Sequence, residues 1–347
     1  MRMGNEASQK PLVSVIIVNW NGQHLLDECL GSLLAQRFQD FEIILVDNGS
    51  QDNSAEFVRD RYSHVRLVQL SENRGFAGGN NEGLRFASGT YIALLNNDTR
   101  TDPGWLEQLV RVAEENPSEG MWASKILSYD NPGVIDNVGL LIYRDGLARG
   151  NGRLEPDTGQ FDTEAEALVP SGCAALYRKA VLDEVGLFDE SFFSYADDVD
   201  LGLRIRLAGW GCRYVPTAIV YHKYSASSSA YSPMKAFLVE RNRIWVLFKY
   251  YPAELILVSP YYTLKRLLLQ AYGGMTGQGA SGKFTAEHSL FSALTILLRA
   301  WFAALAALPK IAGERRKAKS MQRIRRSELY RLFREFGMPV FEIALKE

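Results

Sequence analysis

YIALLNND, residues 91–98, is the stretch on which the fold turns. Tyr91, Ile92, Ala93, Leu94 and Leu95 suit a strand buried on both faces, and they run directly into Asn96, Asn97 and Asp98. A turn needs no cluster of two amides and a carboxylate, so these side chains are expected to hold something at the strand's carboxyl end. The pattern recurs upstream. VSVIIV, residues 13–18, leads into Asn19-Trp20-Asn21-Gly22 and a helical pattern from about Leu25 to Ala35. FEIILV, residues 41–46, ends in Asp47-Asn48-Gly49-Ser50, and a short run at 65–70 precedes the glycine-rich segment 73–83. Continuous apolar runs alternating with helices predict a largely parallel α/β sheet covered on both faces. Open sheets of this kind bind ligands outside the carboxyl ends of their strands. The polar ends 19–21, 47–50 and 96–98 are therefore expected to share one cleft.

Downstream the pattern weakens between 125 and 182, and residues 144–167, rich in Gly and acidic side chains, suggest a loop or hairpin excursion. Phe192-Phe193-Ser194-Tyr195 precedes Ala196-Asp197-Asp198-Val199-Asp200, which opens a helix to about Ala208 with Leu201, Ile205 and Ala208 on one face. Its first-turn acids complement the helix dipole, and Asp200 can pair with Arg204 at i+4. Residues 213–221 form a strand into His222. From about 233 the character changes: residues 245–272 and 290–308 read as long apolar helices interrupted by charge. Ser292, Thr295 and Arg299 make a polar stripe on the second, which favours a helix lying in a membrane interface over one crossing it. From Lys310 to Arg326 eight Lys or Arg stand against one acid, Glu314, a segment suited to anionic headgroups. A helical bundle with a solvated basic tail is the alternative.

A chain of 347 residues, 47% of them hydrophobic, builds one large domain with an appendage, or two domains. The net charge of −1 argues against a surface wholly devoted to nucleic acid, and no nucleic-acid partner is expected. Cys29, Cys173 and Cys212 are too widely spaced for a disulfide framework or a CxxC metal site, which fits a reducing, cytoplasmic setting. Residues 1–11 lack the apolar core of a signal peptide and are expected to be a disordered start. Gly75, Gly78 and Gly79 do not have GxGxxG spacing, and no Gly-Lys-Ser/Thr occurs, so dinucleotide and P-loop chemistry are set aside. Cys173 fits a small packed residue better than a nucleophile, and Trp20, Trp105 and Trp210 fit the core better than sugar-stacking platforms.

VSVIIVNWNG, IILVDNGSQDNS, ENRGFAGGNNEGLRFASG, YIALLNND, SGCAALYRKAVLDEVGLFDESFF and YADDVDLGLRIRLAGW occur in this order. Over roughly residues 12–225 the chain thereby resembles the inverting glycosyltransferases of family 2, in particular the bacterial branch that includes rhamnosyl- and galactofuranosyltransferases. The resemblance implies a GT-A fold, a nucleoside-diphosphate sugar donor and Mg²⁺ or Mn²⁺; it does not extend over the C-terminal third. It implies that Asp47 holds the nucleobase in a pocket lined by Asn19, Asn21 and Asn48, with Arg74, Gly75, Gly78 and Asn80 near the nucleotide. Asn96-Asn97-Asp98 matches the family's D-x-D, with Asn in first place, so Asn96 and Asn97 are assigned to the nucleotide-sugar and Asp98 to the metal. His222 matches a histidine metal ligand. Asp198 matches the general base, with Asp197 where Glu is more usual.

The expected organisation is a tail at 1–11, a GT-A domain at 12–232 and a helical, amphipathic and basic region at 233–347. The expected activity is inverting transfer of a sugar to a saccharide acceptor, lipid-linked, in cell-surface polysaccharide assembly at the inner face of the cell membrane. dTDP-L-rhamnose is the first donor candidate and a UDP-sugar the alternative. A non-catalytic saccharide-binding homologue and a sugar-nucleotide pyrophosphorylase are the competing classes, the latter disfavoured because NWNG stands where an Arg- and Lys-bearing glycine loop is needed. Homo-oligomer formation is left open.

Overall fold

The computed structural model describes residues 10–224 and 232–346. Residues 1–9 of the expected disordered start lie outside the described residues, as do 225–231, at the end of the expected GT-A domain, and residue 347. The chain forms strands β1 (Val13–Asn19), β2 (Phe41–Asp47), β3 (Arg66–Gln69), β4 (Tyr91–Asn96), β5 (Thr99–Thr101), β6 (Glu119–Ser128), β7 (Ile135–Asn137), β8 (Leu140–Ile142), β9 (Ala148–Gly150), β10 (Ala165–Glu166), β11 (Ala174–Arg178) and β12 (Gly211–His222). Between and after them run helices α1 (Gln23–Leu34), α2 (Ser54–Arg61), α3 (Gly75–Phe86), α4 (Trp105–Glu115), α5 (Lys179–Val185) and α6 (Asp197–Leu207). Seven more close the chain: α7 (Pro233–Tyr250), α8 (Ala253–Thr276), α9 (Gly279–Glu287), α10 (Leu290–Ala306), α11 (Leu308–Ser320), α12 (Arg326–Glu335) and α13 (Val340–Leu345).

The main sheet runs β10-β12-β6-β11-β4-β1-β2-β3, with β5 on β12 and β7 on β6. β1 to β4 are mutually parallel, as the unbroken apolar runs require. Period-two alternation then divides them between two cores. Val13, Val15 and Ile17, with Tyr91, Ala93 and Leu95, face one side against Leu26, Leu30 and Trp105. Ile16, Ile92 and Leu94 face the other, against Ala77, Leu201 and Ile205. The glycine-rich segment is mostly helix α3. Its glycines let the helix lie on β1, since a Cβ at Gly79 would stand 2.6 Å from Val18 Cγ1 and one at Gly83 2.5 Å from Ile16 Cγ2. The expected excursion at 144–167 contains the return strand of the β8-β9 hairpin.

α6 is buried on both sides. Leu201, Ile205 and Ala208 pack on the sheet, while Val199, Leu203 and Leu207 join a third cluster with α7, α10, α11 and α12. Asp200 ties the layers together: it pairs with Arg204 at 2.9 Å and accepts a hydrogen bond from Tyr250 Oη at 2.7 Å, with Lys249 also against it. The apolar run at 245–272 is not one helix; it breaks at Tyr251-Pro252, where the missing N–H and fixed φ of proline end α7 and start α8. α8 is turned inside out. It buries Ser259, Thr263, Arg266 and Gly273 and exposes Leu257 (79%), Tyr261, Leu264, Leu268 and Met275. α10 likewise exposes Phe291 (78%), Leu294, Leu298 and Phe302 (77%). Among the described residues no single helix is long and apolar enough to cross a membrane; α9 and α10 pass that test only together, bent by 114°. In the basic segment Arg315 turns inward, donating to Phe248 O and Tyr251 O, while Arg323 and Arg326 form surface pairs with Glu184 and Glu254. Arg316, Lys317, Lys319 and Arg325 stay exposed.

Candidate active site

Asp98 and His222 are brought together by strand register. β5 pairs antiparallel with the end of β12 so that Thr99 stands opposite His222, and Lys223 N donates to Asp98 O at 2.9 Å. The residue before Thr99 thus meets the imidazole, with His222 Nε2 3.3 Å from Asp98 Oδ1. That oxygen is buried and accepts no hydrogen bond of good geometry. The other ring nitrogen, Nδ1, lies 2.7 Å from Asp136 Oδ2, and Arg153 pairs with the same carboxylate. Burial disfavours the charged imidazole. Against it, the Cys173 sulfur and the Asp136 and Asp98 carboxylates raise its pKa well above the ordinary histidine value. Because burial pushes the Cys173 thiol up and keeps it protonated, the two carboxylates are the effective charges.

No three His, Cys, Asp or Glu among the described residues form a ready metal cage. A divalent cation would have to rest on Asp98, substrate oxygens and His222, which would give up the proton its carboxylate neighbours favour. The donor set fits that use. Asp98 Oδ1 is a buried oxygen without a hydrogen bond of good geometry, and Asp136 behind the imidazole is the usual second partner of a ligating histidine.

The Asp197-Asp198 pair opens α6 after a strained approach. Phe193, Tyr195 and Ala196 all have left-handed backbones, at φ 67°, 67° and 61°, a state that costs non-glycine residues about 1–3 kcal/mol each. Asn242, fully buried on α7, holds this loop: its Nδ2 donates to Phe192 O (3.1 Å), Ser194 O (2.9 Å) and Tyr195 O (2.7 Å). Asp198 is aimed by two backbone donors, Gly172 N at 3.0 Å and Val199 N at 2.8 Å. Burial raises the pKa of Asp198 despite these bonds, and burial together with the Asp198 charge raises that of Asp197 further. Asp197 Oδ2 is buried without a hydrogen-bond partner. Two such carboxylates cannot both ionise readily, which leaves an oxygen more basic than that of an ordinary aspartate.

Asn96, Asp98, Asp197, Asp198 and His222 line one cavity of about 430 Å³ with Asp136, Arg153, Gly172 and Tyr195. The remaining sequence candidates do not line it; Asn19, Asn21, Asp47, Asn48 and Asn97 lie at the neighbouring strand ends, and Arg74, Gly75, Gly78 and Asn80 at the start of α3. Asn19 and Asp47 are register partners at the ends of β1 and β2, and Asp47 Oδ1 is a buried acceptor without a partner. Asn97 Nδ2 donates to Asn19 Oδ1 at 2.7 Å and so joins this pocket to the cavity. Asn21 Oδ1 accepts from Gln51 N. Several others are turned inward. Asn48 braces the 73–75 turn through Arg74 N, Asn73 Oδ1 and Gly75 O, Arg74 pairs with Glu190 and Glu82, and Asn80 Nδ2 donates to Phe76 O. Gly75 has φ +71°, and a Cβ there would lie 2.2 Å from Phe193 O; a Cβ at Gly78 would lie 2.7 Å from Arg74 Cβ. Trp105 is in the core, but Trp20, in the turn after β1, is 42% exposed.

Asp136 and Asn242 escaped the sequence reading. Asp136 sits on a three-residue strand with no periodic signal. Asn242 left one trace, the polar interruption Glu240-Arg241-Asn242-Arg243 inside an apolar helix.

Residues 14–186 match the model for glycosyl transferase family 2. The O-antigen biosynthesis protein RfbC of Myxococcus xanthus is 31% identical over 233 residues, 63% of this chain and 18% of that protein. An N-acetylglucosaminyl-diphospho-decaprenol L-rhamnosyltransferase of Mycobacterium tuberculosis is 27% identical over 267 residues, 67% of this chain and 86% of that one. The chain thus spans a small part of the first relative and most of the second. Among solved structures, GalNAc-T7 with UDP, GalNAc and Mn²⁺ has a TM-score of 0.57 at 16% identity, covering 71% of this chain and 49% of that one. The mannosyltransferase PcManGT of Pyrobaculum calidifontis, in complex with GDP-Man and Mn²⁺, has a TM-score of 0.50 at 16% identity over 95% and 88%. At these identities the likeness is one of fold.

Proposed function

The chain belongs, through residues 14–186, to glycosyl transferase family 2, and from that premise we propose that it is an inverting, metal-dependent transferase moving a sugar from a nucleoside diphosphate to a lipid-linked saccharide. The observation that carries this is the single cavity in which the unpartnered Asp98 Oδ1 faces His222 while Asp198, aimed by two backbone N–H groups, stands on another wall. The acceptor hydroxyl attacks the anomeric carbon from the face opposite the leaving diphosphate. One carbon–oxygen bond forms as the bond to the leaving phosphate oxygen breaks, and Asp198 takes the hydroxyl proton. Burial keeps Asp198 basic in this dry site, and its charge together with burial favours the protonated form of Asp197. Asp98 and His222 are the residues that would hold Mg²⁺ or Mn²⁺, which when bound neutralises charge on the leaving group. Asn96 offers its amide to the donor ribose, and the orphaned Asp47 Oδ1 is the acceptor for a nucleobase N–H.

The relative named as an L-rhamnosyltransferase favours dTDP-L-rhamnose as donor, with a UDP-sugar as the alternative. The outward apolar faces of α8 and α10 favour an assignment to the inner face of the cell membrane, because exposed apolar patches of this extent mark interaction surfaces. Such a setting suits assembly of a cell-surface polysaccharide. Transfer from each donor to a lipid-linked N-acetylglucosamine acceptor tests the proposal. Asp198→Asn should lower turnover at least a hundredfold, as loss of a general base does; a loss below tenfold would remove Asp198 from that role. Absence of both transfer and donor hydrolysis with Mg²⁺ or Mn²⁺ would favour a non-catalytic saccharide-binding protein, with Asn96 as its mark.

A further inference from the structure

A second cavity, also about 430 Å³, lies between α7, α8, α9 and α10. It shares Leu147, Lys235 and Val239 with the catalytic cavity, so the two meet at a common wall. Resting on the transferase reading above, we propose that this second cavity receives the hydrocarbon chain of the acceptor lipid, with the acceptor's diphosphate at the shared wall beside Lys235.

Three observations converge on that occupant. The lining is largely apolar, with Leu267, Ala271, Phe284, Leu294, Ile296 and Leu297 among its residues, and its volume falls in the range of about 300–1,000 Å³ typical of small-molecule sites. Of the charged groups in the lining, Glu240 and Arg266 satisfy each other at 3.0 Å, and Lys235 stands at the wall shared with the catalytic cavity. An apolar chain beyond that wall therefore strands neither Glu240 nor Arg266. The helices forming the rim are those that expose apolar side chains outward: Leu264 and Leu268 on α8, and Leu294 and Leu298 on α10. Leu294 belongs both to the lining and to the exposed face, so a chain leaving a bilayer against this face enters the cavity without crossing water.

The charge arrangement sets the direction. Lys235, near the N-terminus of α7, has Nζ 3.4 Å from Tyr224 Oη and 5.5 Å from the Tyr195 ring centroid, and Arg149 lines the catalytic cavity alongside it. An anionic diphosphate placed there leaves the chain pointing into the apolar cavity and the attached sugar pointing toward Asp198. The polar head and apolar tail of one molecule thus match the two compartments in order.

Photo-crosslinking tests this with a benzophenone-bearing farnesyl diphosphate added to the full chain, the adducts being mapped by mass spectrometry and nucleotide binding measured on the same preparation. Adducts are expected on cavity-facing peptides of α8 and α10, falling at least fivefold in Ala271→Trp, which fills the cavity from an exposed helix position of α8, and in Ala293→Trp, which fills it from α10. Binding of dTDP, UDP and GDP should change less than twofold in both variants. Adducts elsewhere, or undiminished in both variants while a nucleotide still binds, would overturn the lipid site alone. Equal labelling by a benzophenone-bearing phosphatidylcholine, undisplaced by farnesyl diphosphate, would also overturn it by assigning the cavity to bulk lipid. If the wild-type chain binds no nucleotide, the transferase reading fails first and takes this proposal with it.

Discussion

Replacing Asn242 with alanine should uncouple catalysis from donor binding. The Asn242 amide lies on α7, outside both the catalytic cavity lining and the strand ends assigned to the nucleotide, yet it donates to three carbonyls of residues 192–195. Truncation takes the Asn242 donor from Ser194 O and Tyr195 O, at about 1–3 kcal/mol for each bond lost, while Phe192 O keeps Arg241 and Ser194 N. With two N–H hydrogens removed, the expected destabilisation is about 2–4 kcal/mol, a fall in Tm of about 3–6 °C for a cooperative unit of this size. The loop also stores backbone strain at Phe193, Tyr195 and Ala196. Once unclamped it relaxes toward ordinary φ values, and Asp197 and Asp198, which follow directly, move with it. A shift of about 1 Å in a reacting group costs roughly a hundredfold. The assay is steady-state transfer at saturating donor, paired with calorimetric nucleotide binding and a thermal melt. The expected result is kcat down about a hundredfold with nucleotide Kd within twofold. A variant that melts lower but keeps kcat within twofold would refute the claim that Asn242 positions the acidic pair.

Three further outcomes follow from the same geometry. Because burial raises the Asp198 pKa, the acid limb of kcat should fall above the value of about 3.9 of a free aspartate; a pH–rate profile flat down to pH 4 would contradict this. Glu240 is buried, which alone would raise its carboxyl, but Arg266 and Arg243 hold it down to about 2 from an ordinary 4.5. Its folded pKa being depressed, its stabilisation is full above about pH 4.5 and is lost as pH falls toward 2. Glu240→Gln, which leaves the buried Arg243 and Arg266 to share the single carboxylate of Asp145, should cost about 3–5 kcal/mol at neutral pH and flatten the acid part of the stability curve; unchanged acid denaturation would refute it. Leu264→Glu with Leu268→Glu, on the exposed face of α8, should weaken co-sedimentation with anionic vesicles at least tenfold while leaving nucleotide binding intact, and wild-type protein that ignores such vesicles would remove the membrane assignment.

The parallel half of the sheet was legible because strands buried on both faces must be apolar without interruption, and VSVIIV, FEIILV and YIALL are. Asp98, His222 and the Asp197-Asp198 pair were legible through motif order, and the structure gathers them in one cavity. What stayed hidden depends on long-range packing. Asp136 reaches His222 across 86 residues of sequence, and Asn242 reaches its loop across 47 to 50. Local pattern carries no trace of such pairings. Periodicity also shows that α8 is amphipathic without showing which face is inward. That was decided by Arg266, whose buried partners Asp145 and Glu240 lie 121 and 26 residues away. The inward turn of Arg74 and Asn80 has the same origin, since a polar side chain beside a binding site can equally brace the backbone.

The central claim is that these strand ends bind a nucleoside diphosphate with a divalent cation resting on Asp98 and His222. Calorimetric titration of dTDP, UDP and GDP into the purified chain, with Mn²⁺ and again with EDTA, tests it most directly. The account predicts that one nucleotide binds with Mn²⁺, that EDTA weakens it at least tenfold, and that Asp98→Asn does the same. A folded protein that binds none of the three, or binds one equally well in EDTA, would contradict it.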